Sequence, residues 1–367
     1  MANDNLRQAK AAKNDEFYTQ YGDIAAELKH YSAFLHGKTV LCNCDDPQWS
    51  NFWKYLHNNF SVLELKKLVS THYEPDGSPS YKMEYEGGDD LNTEAGTVTP
   101  LKGNGDFRSE ECIELLRSSD IVITNPPFSI FIDYIGQLFE YEKPFIVIAN
   151  KNALHNKDTF PYIKDNAIWI GQTPMSKDLL FRVPKWREDE LRADKKAEGS
   201  KYRIVNGELF ARSPSIWMTN IDIKKRHIPF FPPEDAHCYY EGNEDKYPRY
   251  YNFDGIDVAK TELIPIDYTG YMGVPVSFLD KYNPDDFELI GTGSDVPKTM
   301  THTVTENKKT IAYVRPDGSV AWSTPYTVSE RKLGNGLRID NNGVPGNSPF
   351  SRIIIRNRHP VAKKDDI

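Results

Sequence analysis

The 367-residue sequence lacks several features that would assign it to a class immediately. It has no apolar run long enough to cross a bilayer, and its N-terminus has no hydrophobic core of a signal peptide. Its four cysteines show no paired Cys-x-x-Cys or Cys/His spacing, which argues against structural zinc and favours reduced, buried thiols. We therefore expect a cytoplasmic protein with no membrane partner and no metal.

An excess of positive charge is also missing. The formal net charge is −8, which argues against a chain that binds nucleic acid through its overall charge. A local basic cleft is still compatible with this value, because net charge says little about the field in one groove. The length is sufficient for two domains with a sizeable core.

Short apolar strands alternate with helical segments through the first 222 residues. This alternation predicts an α/β fold with a mostly parallel sheet covered on both faces. A hairpin is expected around Asn206 and Gly207, whereas residues 177–203 are densely charged and are expected to form a loop or helix. Strands are predicted at residues 39–43, 65–71, 81–85, 98–101, 121–124, 145–150, 167–171, 202–205, 208–211 and 215–220, and helices at residues 50–60, 110–116 and 129–140.

A change in composition near residue 223 predicts a domain boundary. A basic run and three closely spaced prolines follow it, and the remainder is rich in tyrosine, proline and glycine. We therefore predict one domain at residues 1–222 and a second at residues 223–367, whose last apolar strand is residues 350–355. The basic residues around that strand are interpreted either as an edge that contacts phosphates or as an ordinary charged terminus.

The strongest motif is Asn-Pro-Pro-Phe at residues 125–128, directly after a β-branched apolar strand. The prolines stop the strand and stiffen the turn, at the strand end where open α/β sheets bind ligands. The Asn125 side-chain carbonyl and the Pro126 backbone carbonyl can each accept one N–H of an exocyclic amine, and Phe128 can stack on its base. This chemistry suits methylation of an amine. The alternative is a proline-rich loop in which Asn125 is only a turn residue.

Two further segments are candidates for binding a nucleoside cofactor. Asp45 and Asp46 follow the first strand in a tight acidic turn, which either binds the cofactor or caps the next helix. The glycine fingerprint of dinucleotide binding is missing from this turn. In the Gly-rich turn at residues 103–109, Ser109 or Asp106 can cap the helix that follows. The functional interpretation is that Asp106 accepts from an adenine amine of a cofactor, with Phe107 beside the ring.

Together these motifs resemble the EcoRI-type adenine-specific DNA methyltransferases. The resemblance is carried, in order, by residues 15–20, 42–47, 105–109, 124–129, 272–275 and 354–358. It implies a Rossmann-like catalytic domain that uses S-adenosylmethionine and a C-terminal target-recognition domain. It also implies transfer of a methyl group to N6 of a flipped adenine in double-stranded DNA, within a restriction–modification system. We expect a monomer.

The resemblance assigns roles residue by residue. The catalytic motif comprises Asn125, Pro126, Pro127 and Phe128, and the cofactor motifs comprise Phe17, Tyr18, Thr19, Asp45, Pro47, Asp106 and Phe107. Two departures from the wider superfamily stand out: the first loop is not Gly-rich, and no acid ends the second strand, so no ribose ligand is assigned. Rival interpretations are methylation of RNA or of a protein glutamine by the same chemistry, and a non-catalytic DNA-binding relative.

Overall fold

The computed structural model describes most of the chain, in two compact units. Unit 1 comprises Met1–Ala153 and Ile168–Ile221, and unit 2 comprises Leu154–Ala167 and Asp222–Ile367. The composition change near residue 223 did not reveal that residues 154–167 belong to the second unit. The described residues are 18–74, 76–177, 179–183, 188–189, 191–192, 202–233, 236–295, 312–314, 320–322, 337–340, 345–347 and 351–362.

Unit 1 contains twelve described strands and five described α-helices. The strands are β1 (Tyr18–Thr19), β2 (Thr39–Cys42), β3 (Lys67–Thr71), β4 (Tyr81–Tyr85), β5 (Thr97–Pro100), β6 (Ile121–Thr124), β7 (Phe145–Asn150), β8 (Trp169–Ile170), β9 (Leu179–Arg182), β10 (Tyr202–Val205), β11 (Glu208–Ser213) and β12 (Ser215–Thr219). The helices are α1 (Tyr21–Leu28), α2 (Ser32–Leu35), α3 (Asn51–Asn58), α4 (Glu110–Ser118) and α5 (Phe131–Glu140).

Eight of these strands form one sheet in the order β5-β4-β3-β2-β6-β7-β12-β8. The expectation of a mostly parallel sheet was wrong, because only the β3-β2-β6-β7 centre is parallel and the outer neighbours pair antiparallel. At the β5 edge, β3, β4 and β5 follow one another through short connections, which antiparallel pairing allows without a crossover helix. The parallel centre is nevertheless what brings four strand ends to one edge.

Local sequence explains the central strands and their helices. Every residue of β2 and β6 is buried, as expected for apolar strands of a sheet covered on both faces. Ser50 caps α3 by accepting from the Phe52 N–H, and Ser109 caps α4 by accepting from the Cys112 N–H. No helix in the described part of the chain is long and apolar enough to cross a membrane.

A second, four-stranded antiparallel sheet in unit 1 has the order β1-β9-β11-β10. The hairpin expected at Asn206 and Gly207 is confirmed, since both residues have positive φ (52° and 84°) and join β10 to β11. Strand β9 was not foreseen, because it lies in the charged segment expected to be a loop or helix. We call β1, β9, β11 and β10 the small sheet.

Unit 2 is built around two further four-stranded sheets, with the orders β13-β14-β20-β15 and β17-β16-β19-β18. Its elements are α6 (Phe160–Lys164), β13 (Gly255–Asp257), β14 (Tyr271–Pro275), β15 (Phe287–Thr292), β16 (Ala312–Val314), β17 (Val320–Trp322), β18 (Arg338–Asp340), β19 (Pro345–Asn347) and β20 (Arg352–Asn357). The two C-terminal motifs of the resemblance lie on β14 and β20, which pair antiparallel in the middle of the first sheet.

Both arginines of β20 are paired with carboxylates, Arg352 in the interior and Arg356 with Glu288 at the surface. Arg352 is 3% exposed and makes two hydrogen bonds to Asp257, at 2.8 and 3.0 Å, so it cannot contact a phosphate. Tyr250 donates to the same carboxylate at 2.6 Å. A Cβ at Gly273 would lie 1.9 Å from the Tyr250 hydroxyl oxygen, so this buried network explains the glycine in β14. Lys363 and Lys364 lie outside the described residues.

Candidate active site

The parallel strands β2, β3, β6 and β7 end at the same edge of the large sheet. Residues 43–47, 72–73 and 125–128 follow the first three of these strands directly, and Asn150 is the last residue of β7. Ligand sites of open α/β sheets lie at this edge. The topology therefore brings the candidate cofactor loop and the Asn-Pro-Pro-Phe motif together, although they are 80 residues apart in sequence.

Asp45 connects the two loops. The carboxylate accepts from the Thr124 hydroxyl and, at 3.0 Å, from the backbone N–H of Asn125. Its other oxygen accepts from the Ser50 hydroxyl at 2.7 Å. Asp45 is therefore not the cap of α3, which is Ser50. Instead it fixes the backbone at the start of the catalytic motif.

Burial raises the pKa of Asp45 to about 6, although the hydrogen bonds from Thr124, Ser50 and Asn125 act in the opposite direction. The carboxylate is thus ionised at pH 8 and becomes protonated in mild acid. The nearby Cys42 and Cys44 thiols also have pKa values raised by burial, so both stay protonated at neutral pH. Neither thiol is suited to act as a nucleophile.

Two oxygens of the motif have no hydrogen-bond donor within the part of the chain that the structure describes. The Asn125 Oδ1 atom is buried and unpartnered. Pro126 is buried, and none of the described backbone N–H groups donates to its carbonyl. By contrast, the Pro127 carbonyl already accepts from the Ile130 N–H at 3.2 Å. A buried acceptor without a donor costs free energy, so these two oxygens are typical of a site where the N–H groups of a bound ligand supply the missing hydrogen bonds.

A cleft of about 210 Å³ lies in front of these oxygens, within unit 1. The motif contributes Asn125, Pro126 and Phe128 to its wall, whereas Pro127 is half-buried and is not among the lining residues. The opposite wall comes from the small sheet and the strand end beside it, and comprises Asn150, Phe181, Tyr202, Ala211, Arg212, Ser213 and Pro214. Sequence reasoning missed this wall entirely, because only pairing distant in sequence brings these residues to the motif.

The second candidate cofactor segment packs on the end of β3. Gly105 has φ +81°, and a Cβ there would lie 2.0 Å from the carbonyl oxygen of His72, so only glycine allows this approach. Phe107 is buried, with its ring edge-on to Tyr134. Asp106 is half-buried and bonded to the Arg108 side chain at 2.9 and 2.7 Å, which lowers its pKa.

The acidic turn after β2 also reaches the end of β3. Asp46 accepts from the Tyr81 hydroxyl and pairs with His72 Nδ1, both at 2.9 Å. Pro47 is buried. His72 therefore stands at the end of the second parallel strand with a carboxylate bonded to its ring.

The remaining expected cofactor residues lie on or next to β1. Phe17 lies outside the described residues, and Tyr18 pairs with Arg182 of β9. Thr19 is 4% exposed, and its hydroxyl has no partner among the described residues. Asn43, which directly follows β2, is 3% exposed, and its side-chain nitrogen likewise has no hydrogen-bond partner among the described residues.

Comparisons of the sequence with known proteins identify its family. The sequence model of the family described as "Adenine-specific methyltransferase EcoRI" matches residues 5–358. The chain belongs to this EcoRI methylase family. It is 43% identical to the Type II methyltransferase M.EcoRI of Escherichia coli over 78% of this chain and 88% of that protein. No solved structure gives a significant match.

Two relatives from Mycoplasma cover slightly more of the chain. Identity is 40% to the Type II methyltransferase M.MpnI of Mycoplasma pneumoniae and 36% to M.MgeORF184P of Mycoplasma genitalium, in each case over 84% of this chain and 91% of the relative. As an EcoRI-family methyltransferase, the protein needs a methyl donor. The unpartnered polar atoms of Thr19 and Asn43 fit a polar cofactor such as S-adenosylmethionine. Among the described residues, no group of His, Cys, Asp and Glu could hold a metal ion.

Proposed function

We propose that this protein transfers a methyl group from S-adenosylmethionine to N6 of an adenine that has been flipped out of double-stranded DNA. We assign unit 1 to catalysis and unit 2 to target recognition, and we place the enzyme in a restriction–modification system. The observation that carries the proposal is the pair of donor-free acceptors, Asn125 Oδ1 and the Pro126 carbonyl, in one cleft. An adenine N6 amine presents two N–H groups, which is the number that these oxygens can accept.

The residues of the motif act by orienting the amine. Its nitrogen lone pair is delocalised into the ring, so it is a poor nucleophile until both N–H groups are held. Asn125 and Pro126 hold them, which turns the lone pair toward the methyl donor and stabilises the charge that develops on nitrogen. Phe128 lies half-buried in the same wall and stacks on the base. The protonated state of Cys42 and Cys44 agrees with direct transfer without a covalent enzyme intermediate.

The cofactor is assigned to the loops at the ends of β2 and β3. The residues assigned to it are Thr19 of β1, Asn43 and Pro47 after β2, and Asp106 with Phe107 in the segment that packs on the end of β3. When bound, S-adenosylmethionine supplies a methyl group on a positively charged sulfur. Asp45 is a positioning residue, because it accepts from the Asn125 backbone N–H and both of its oxygens already accept hydrogen bonds within the protein.

The direct test is sequencing of DNA from cells that express the protein, by a method that reports N6-methyladenine at single-base resolution. We expect one sequence motif to be methylated throughout the genome. Asn125→Ala should abolish methylation and still bind S-adenosylmethionine with unchanged affinity. The matched control is Asn152→Ala, which alters an exposed asparagine that does not line the cleft. Unmodified DNA from cells that contain soluble, cofactor-binding protein would instead direct attention to RNA or protein substrates.

A further inference from the structure

Asn150 is a second side-chain amide in the same cleft. It ends β7, the strand next to β6, and it lines the cleft together with Asn125. The register pairs Thr124 with Val147, so Asn150 lies two residues beyond the position beside Asn125. Strand spacing and rise per residue then separate the two α-carbons by roughly 8 Å. One purine ring can therefore contact both amides.

The orientation of the Asn150 amide is fixed by its neighbour. Its Oδ1 atom accepts from the Asn152 backbone N–H at 2.9 Å, which identifies the other end of the amide as the NH₂ group. Within the described part of the chain, this NH₂ group meets no acceptor. The cleft thus offers two acceptors, on Asn125 and Pro126, and one amide donor, on Asn150.

This arrangement is complementary to the amine edge of adenine. The two ring positions nearest the N6 amine, N1 and N7, are both acceptors. We infer that the Asn150 side-chain NH₂ donates to one of these ring nitrogens and so orients the adenine in the cleft. A guanine or thymine would present a carbonyl where adenine presents its amine, and a ring N–H in place of N1, so polar groups of the site would be left unpaired. Guanine retains the N7 acceptor, so a bond to N1 makes Asn150 select adenine over guanine, whereas a bond to N7 makes it orient either purine. The inference rests on the proposed function and adds a residue that contacts the base.

The experiment combines changes in the enzyme with changes in the base. The DNA carries adenine, 7-deazaadenine or 1-deazaadenine at the target position found by sequencing. The enzymes are the wild type, Asn150→Asp and Asn150→Ala, and the readout is kcat/KM for methyl transfer. Asn150→Asp keeps an acceptor for Asn152 and replaces the donor with a second acceptor. Asn152→Asp is the control, because it adds the same charge two residues away on an exposed side chain.

We expect one of the two deaza bases to lower kcat/KM of the wild type by about 10-fold, the value of one lost hydrogen bond. Asn150→Ala and Asn150→Asp should lose about 10-fold or more on adenine and show no further loss with that deaza base. Effects of the deaza base on pairing within the DNA cancel, because the same DNA is compared between enzymes. Unchanged affinity for S-adenosylmethionine in both variants would show that unit 1 is folded.

Two outcomes would overturn the inference. One is that both deaza bases lower kcat/KM by the same factor in the wild type and in the Asn150 variants. The other is that the wild type does not distinguish adenine from either analogue. Failure of the proposed function has a different signature, since the wild type would then transfer no methyl group to unmodified adenine DNA.

Discussion

Replacing Asp45 with asparagine should separate stability from activity. The ionised carboxylate is buried, and a pKa of about 6 instead of 3.8 means that ionisation costs the folded state ~3 kcal/mol at neutral pH. Asp45→Asn removes this cost. The asparagine that replaces Asp45 has only one acceptor oxygen, so its NH₂ group faces either the Asn125 N–H and the Thr124 hydroxyl or the Ser50 hydroxyl. The hydrogen bonds lost in either orientation cost about 1–3 kcal/mol. The two effects nearly offset, so we expect the melting temperature at pH 8 to change by only a few degrees.

Activity should respond quite differently. Without the carboxylate that fixes the Asn125 backbone, the amide oxygen loses its position, and a displacement of about 1 Å lowers kcat by ~100-fold. Wild-type kcat should also fall as the pH drops below about 6, because Asp45 takes up a proton there. The raised pKa means that the folded state binds this proton more tightly than the unfolded state. The contribution of Asp45 to stability therefore increases as kcat falls.

The assay is single-turnover methyl transfer to a short duplex between pH 5 and pH 8, with a thermal melt at each pH. Asp120→Asn is the control, since Asp120 accepts from the Thr39 backbone N–H at 2.7 Å at the opposite end of the parallel strands. We expect the control to keep wild-type kcat. A kcat equal to that of the wild type in Asp45→Asn would refute the reasoning. So would a loss of activity that, in each variant and at each pH, matches the fraction of protein unfolded in the thermal melt.

Three further predictions test separate parts of the structure. Gly105→Ala should destabilise unit 1 by about 2 kcal/mol or more and weaken cofactor binding, because the new Cβ meets the His72 carbonyl oxygen. Thermal melts measure the loss of stability, and titration calorimetry measures the loss of affinity. Thr19→Val should leave the melting temperature unchanged or higher and raise the Kd for S-adenosylmethionine about 5- to 10-fold, since its hydroxyl has no partner among the described residues. In denaturant unfolding, Arg352→Ala should cost ~3–5 kcal/mol, whereas Arg356→Ala, in a half-exposed ion pair, should cost less than ~1 kcal/mol.

Local patterns were sufficient to predict the central strands and the hairpin. Strands β6 and β7 are continuous apolar runs bounded by prolines or polar residues, and the Asn206 and Gly207 turn needs no distant partner to be recognised. Proximity along the chain also limited the cap of α4 to Asp106 or Ser109, of which the structure shows Ser109. In each case the signal lies within a few residues of the structure that it specifies.

Pairing between distant segments could not be predicted in the same way. Strand β9 lies within a charged segment, and its antiparallel partners, β1 and β11, are what make it a strand. The link from Asp45 to Asn125 and the pairing of Arg352 with Asp257 likewise join residues 80 and 95 positions apart. Sequence patterns therefore singled out the Asn-Pro-Pro-Phe motif but not the second wall of its cleft, including Asn150.

The small sheet has a thermodynamic consequence for the two sites it adjoins. Strand β1 carries Tyr18 and Thr19 of the proposed cofactor site and pairs with β9, and β9 pairs with β11, which lines the cleft. A ligand that shifts this sheet at one site changes the free energy of binding at the other. Such coupling is reciprocal. If bound cofactor raises the affinity for the base by some factor, then bound base raises the affinity for the cofactor by the same factor.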